Sequence, residues 1–185
     1  MQNILFFGDS LTAGYGLRNA ATESFPAIIG QKITAAGLGY RVINAGLSGD
    51  TSAGGLRRID YWLSEPVSAF VLELGINDVI RGMAPSTSQD NLQAIIDKVK
   101  AKYPDARIAI MGMQIPVFLH SPIAGQFSQI FTDLAVANNI SLVPFFLEGV
   151  AGAAHLNLPD KLHPNAAGYK VIADNVWPVI QMLLL

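Results

Sequence analysis

The chain has 185 residues, 51% apolar and 14% charged, with a net charge of −2 and no cysteine. So apolar a composition excludes intrinsic disorder, and the near-neutral balance leaves no basic footprint for nucleic acid or an anionic membrane. Without cysteine there is no disulfide framework, no thiolate metal site and no cysteine nucleophile.

A chain of this length predicts one domain, 1–185, able to bury about 70% of its unfolded surface. Mean hydropathy is +0.36, which makes a membrane-spanning helix worth seeking. The longest stretch without Asp, Glu, Lys or Arg, Ile108–Thr132, is interrupted by Pro116, His120, Pro122, Gln126 and Gln129. A span needs about 20 mostly apolar residues, so no integral membrane segment is predicted. A strand-like run begins at Asn3 with no basic segment and apolar core of a signal peptide before it. As written the chain reads as cytoplasmic, or as periplasmic or secreted if it is a trimmed mature form.

In chain order, the first apolar run is Asn3–Phe7, followed by a helical pattern over Phe25–Ala36 that aligns Phe25, Ile28, Ile29 and Ile33. The run Arg41–Asn44 precedes a helix over Gly54–Leu63 carrying Leu56, Ile59 and Leu63. Ala69–Leu74 precedes Asn91–Lys102, where Leu92, Ile95, Ile96 and Val99 share a face and Asp90 is the expected cap. Ile108–Met113 precedes Gly125–Asn138, and Ser141–Phe145 precedes Ala166–Leu184. The strand-like runs are continuous rather than alternating, as in parallel strands covered on both faces. Strand alternating with helix predicts a parallel α/β sheet with right-handed crossovers, a flavodoxin-like three-layer α/β/α sandwich of five strands in the order 2-1-3-4-5.

Ligand sites in such sheets lie beyond the carboxyl ends of the strands. Gly8-Asp9-Ser10-Leu11-Thr12 follows the first strand, Ser48-Gly49-Asp50-Thr51 the second, Gly75-Ile76-Asn77-Asp78 the third, and Asp160-Lys161-Leu162-His163-Pro164-Asn165 precedes the last helix. A serine becomes a useful nucleophile when a neighbouring base takes its proton, and an imidazole, which titrates near neutrality, suits that task. His163 can be that base for Ser10. Asp160, three residues earlier, can fix the imidazole tautomer. Donors for a developing oxyanion are then required; the bare backbone N–H of Gly49, the side-chain amide of Asn77 and the Ser10 N–H can supply them. Asp9 reads as structural, bonding loop N–H groups, and Arg57 and Arg58 sit on a helix expected to expose one of them on a solvated face. No group has metal-ligand spacing, and no cofactor is expected.

Together the blocks Gly8-Asp9-Ser10-Leu11, Ser48-Gly49-Asp50-Thr51, Gly75-Ile76-Asn77-Asp78 and Asp160-Lys161-Leu162-His163 resemble, in order and spacing, the four motifs of the SGNH hydrolases, also called GDSL esterases. Gly8–Tyr15, Asn44–Thr51 and Glu73–Gly82 resemble the bacterial subgroup of arylesterases and multifunctional acyl thioesterase/lysophospholipases. The resemblance implies a cofactor-free serine esterase acting on small-molecule esters or thioesters. In it Ser10 is the nucleophile, His163 the base, Asp160 its orienter, and Ser10, Gly49 and Asn77 form the oxyanion hole.

Two segments are expected to wall the acyl site, because both start at carboxyl strand ends. One is Asp78–Met83, with Asp78 and Ile80; the other is Gln114–Phe127, with Ile115, Pro116, Val117 and Phe118. The apolar second segment favours lipid-like or aryl acyl groups, and a chain of 185 residues leaves little room for a long tunnel, so short-to-medium acyl groups are expected. Two alternatives remain open: carbohydrate O-deacetylation, which other members of that family perform, and a non-catalytic flavodoxin-like module binding flavin or phosphate in the loop after the first strand.

Overall fold

The computed structural model describes residues 2–114 and 122–185, with backbone alone at 122–124. Five strands, β1 (Gln2–Gly8), β2 (Tyr40–Gly46), β3 (Ala69–Glu73), β4 (Arg107–Met111) and β5 (Ser141–Val143), form a parallel sheet in the order β2-β1-β3-β4-β5. This is the predicted order.

Alternate residues of a strand point to opposite faces, and here both faces are covered. Leu5, Phe7, Phe70, Leu72, Ile108 and Ile110 pack beneath α4 (Ser52–Trp62), α6 (Pro85–Lys102) and α7 (Pro122–Asn138). Ile4, Phe6, Ala69, Val71, Ala109 and Met111 pack against α3 (Phe25–Ala35) and α8 (Ala166–Leu184) on the other side. The result is a three-layer α/β/α sandwich, and the double burial explains why the strands read as unbroken apolar runs.

Several boundaries differ from the sequence expectation. Helix α6 begins at Pro85 with Ala84 as its cap, so Asp90 lies inside the helix rather than capping it. Proline suits the first helical turn, where its missing N–H costs nothing, and the polar first turns carry no apolar period to reveal them. Strand β5 stops at Val143 instead of Phe145, because Pro144 has no N–H for a ladder. Three short helices, α1 (Ser10–Ala13), α2 (Ala20–Glu23) and α5 (Ile76–Ile80), are too brief to show a period. Among the described residues no helix is long and apolar enough to cross a membrane.

In register, Gly8 at the end of β1 pairs with Gly46 of β2 and Glu73 of β3. Three strands therefore end level, and the loops that leave them meet over one edge of the sheet.

Candidate active site

Ser10 stands at the first position of α1. Asp9 caps that helix, its Oδ1 accepting the Leu11 N–H at 3.0 Å, so the structural reading of Asp9 holds. The Ser10 hydroxyl lies 2.9 Å from His163 Nε2, and His163 Nδ1 lies 2.8 Å from Asp160 Oδ2. With the Nδ1 hydrogen given to Asp160, Nε2 is free to accept the hydroxyl proton.

The Asp160–His163 pair is built by a tight local loop. Lys161 adopts a left-handed φ of 60°, and Asp160 Oδ1 accepts the backbone N–H groups of Leu162 and His163, each at 3.0 Å. These bonds, the His163 N–H first and then its ring, hold the Asp160 carboxyl down at about 2. Tyr15, which sequence reasoning did not single out, lays its ring against the imidazole, with centroids 4.4 Å apart. An exposed aromatic just past the nucleophile turn was the available signal.

The expected oxyanion donors sit around the same turn. Gly49 has φ +78°, a conformation that disfavours any side chain, and its carbonyl accepts from Arg81 Nη2 at 2.7 Å. Among the described residues neither the Ser10 N–H nor the Gly49 N–H has a hydrogen-bond partner. Asn77 is held differently: its Nδ2 donates to Asp9 Oδ2 at 3.0 Å and to the Asp50 carbonyl at 2.9 Å.

A polar layer lies below. Of the two arginines Arg57 is the exposed one, and Arg58 turns inward. Its guanidinium pairs with Asp50 at 2.7 Å, donates to the Ala45 and Gly8 carbonyls, and lies 3.9 Å from the centroid of the Phe7 ring. Asp78 likewise departs from its expected place in the acyl wall. It is fully buried, bonded to the Ser52 N–H and hydroxyl and to the Ser88 hydroxyl, so it braces the loops from beneath. Burial is the main cause lifting the Asp9 carboxyl above the usual range, with its Leu11 bond opposing. Among the described residues no group of three or more His, Asp or Glu is placed to hold a metal ion.

Beside the Ser10 turn opens an apolar cavity of about 350 Å³, lined among others by Leu11, Ile76, Met113, Phe146, Val150 and Leu162. Three of these adjoin Ser10, Asn77 and His163 in the chain. Much of the wall comes from the segment after β5, which the sequence reading left unassigned. Ile80 is exposed and does not line this cavity. Phe127 belongs to the core under α7. Ile115, Pro116, Val117 and Phe118 lie outside the described residues. The loop after β1 is poorly suited to cradle phosphate, since the Asp9 N–H and Thr12 hydroxyl are both committed to Glu73.

Comparison with known proteins agrees with this arrangement. Residues 6–171 match the model of the GDSL-like lipase/acylhydrolase family. The chain is 39% identical to Esterase TesA of Pseudomonas aeruginosa, over 99% of this chain and 90% of that protein. It is 35% identical to Thioesterase 1/protease 1/lysophospholipase L1 of Escherichia coli K12, over 98% and 84% respectively. The crystal structure of TesA superposes with a TM-score of 0.93 at 38% identity, covering 99% of this chain and all of the other.

Proposed function

The chain belongs to the GDSL-like lipase/acylhydrolase family and is a serine ester hydrolase, and on that premise we propose that it works through an acyl-enzyme formed on Ser10, with His163 as base and Asp160 as its orienter. The observation that carries this reading is the unbroken chain of bonds from Asp160 through His163 to the Ser10 hydroxyl, beside an apolar cavity.

In this reading the steps are those of acyl transfer through a serine. His163 Nε2 takes the Ser10 proton as the oxygen attacks the acyl carbon, and Asp160 stabilises the imidazolium that forms. The oxyanion is met by the Ser10 and Gly49 N–H groups, which carry no other bond among the described residues, and takes a share of the Asn77 amide hydrogens. Such donors favour the transition state over the ground-state carbonyl. His163 then protonates the leaving alcohol or thiol. A water, deprotonated by the same imidazole, cleaves the acyl-serine and returns the proton to Ser10.

The acyl group is assigned to the 350 Å³ cavity, near the small end of ligand pockets. Its apolar lining favours short-to-medium acyl chains over the acetyl groups of carbohydrates. Esters are the primary substrates in this reading. Thioesters and lysophospholipids, the classes in the Escherichia coli relative's name, are leaving-group variants of the same chemistry.

Replacement of Ser10 tests the reading. Ser10→Ala is expected to fold with an unchanged circular dichroism spectrum and to lose about 10⁴–10⁶ in kcat on p-nitrophenyl butyrate. Turnover within tenfold of the wild type would remove Ser10 from the mechanism.

A further inference from the structure

Beneath the Ser10 turn lies a carboxyl that the proposed reaction does not use. Glu73 ends β3, is 2% exposed, and pairs in register with Gly8. Its Oε2 accepts two hydrogen bonds, from the Asp9 backbone N–H at 3.3 Å and from the Thr12 hydroxyl at 2.7 Å. The donors stand on either side of Ser10. Gly8 makes the room: a Cβ there would collide with both the Thr12 hydroxyl and the Glu73 carboxyl.

The charge state of Glu73 follows from what faces it. Asp9 approaches from the turn and Tyr169 from α8, while Asp50 and Asp78 act on Asp9 in its turn. Arg58, the cation that reaches the Gly8 carbonyl beside this turn, is committed to Asp50 and to the carbonyls of Ala45 and Gly8, and among the described residues no salt bridge reaches Glu73. Glu73 Oε1 has no hydrogen-bond partner among the described residues, nor does the buried Tyr169 hydroxyl. A carboxylate with one oxygen bare and no cation paired to it among the described residues is far costlier to bury ionised than as the neutral acid. Asp9 is also lifted by burial, but it accepts an N–H on each of its oxygens, bonds that oppose the shift and that Glu73 Oε1 lacks among the described residues.

We propose that Glu73 is a neutral positioning residue, carrying its proton on Oε1 while Oε2 clamps Asp9 and Thr12 and so aims the Ser10 hydroxyl at His163. Burial, and then the charge of Asp9, push the Glu73 carboxyl well above the ordinary range, in the same direction. The clamp extends to the oxyanion hole, because Asp9 also holds the Asn77 amide. The proposal rests on the reading of Ser10 as nucleophile, while the proton on Glu73 is measurable without it.

Infrared spectroscopy at neutral pH, with carbon-13 glutamate or aspartate incorporated, tests the proton directly. The wild type is expected to show a protonated-carboxyl band that shifts with labelled glutamate, stays put with labelled aspartate, and vanishes in Glu73→Gln. Steady-state kinetics test the clamp. Glu73→Gln keeps a neutral acceptor and should hold kcat within about threefold, whereas Glu73→Leu keeps the bulk without the acceptor and should lose about 10² in kcat at unchanged KM. No such band, a band that follows aspartate alone and not glutamate, or a Glu73→Gln as impaired as Glu73→Leu overturns the proposal. Should Glu73→Leu fail to fold, the band and Glu73→Gln still decide. Failure of the Ser10 reading looks different: Ser10→Ala would retain turnover while the glutamate band persisted.

Discussion

Asp160 and Asn77 do their work through bonds that differ in kind, and their variants should fail differently. The Asp160 carboxyl is held at about 2 by its bonds to His163 and Leu162. A carboxyl lowered on folding contributes stability above its unfolded value near 4 and loses it as pH falls through about 2. Asp160 therefore stays ionised and bonded throughout pH 4–8. Asp160→Asn should leave the fold intact and cut kcat by up to about 10⁴, through loss of the productive tautomer; a kcat within tenfold of wild type would contradict the pairing. Asn77→Ala should lower kcat by about 10²–10³ at nearly constant KM, and should also lower Tm, since it frees Asp9 Oδ2 and the buried Asp50 carbonyl. A raised KM with kcat unchanged would make Asn77 a substrate-binding residue instead. At this scale the sequence was informative wherever chemistry is local. Asp160 and His163 are one turn apart, and Ser10, Gly49 and Asn77 each stand in the loop or turn that leaves a strand end. Arg58 and Glu73 were not legible, because their partners lie as far as 50 and 64 residues away and nothing in their own neighbourhood announces them.

At the scale of elements, the site is made by which segments leave the sheet edge and where they turn. Apolar periodicity located the long helices, but the acyl cavity is walled by the segment after β5, where Phe146, Val150 and Ala151 carry neither helical nor strand period. Each buried methylene is worth about 0.8 kcal/mol. The kcat/KM for p-nitrophenyl esters should therefore climb several-fold per pair of carbons until the cavity is filled, then fall towards palmitate. Narrowing the cavity gives the sharper check. Ala151→Trp should cut kcat/KM on octanoyl esters by about tenfold or more while acetyl esters keep theirs within about threefold. Equal losses on both would place the acyl chain elsewhere.

For the whole molecule, strand–helix alternation and unbroken apolar strands were enough to predict a parallel sheet with its first strand inside, since few arrangements bury the most apolar strands, β1, β3 and β4, on both faces. That topology brings five residues from four loops to one edge. It also places Asp9 and Glu73 in the interior, and their carboxyls are raised by burial. Groups raised on folding give stability that is complete below the unfolded value near 4 and is lost as pH rises through the folded values. Tm should accordingly decline from mildly acidic to alkaline pH, and Glu73→Gln should flatten that decline; a Tm that climbs over the same range would contradict the raised carboxyls. The central claim, that one serine among many is the covalent nucleophile, is tested most directly by mass spectrometry after reaction with a fluorophosphonate. The account predicts one adduct per chain, on the peptide containing Ser10, and none in Ser10→Ala; an adduct on any other serine, or labelling that survives in Ser10→Ala, would contradict it.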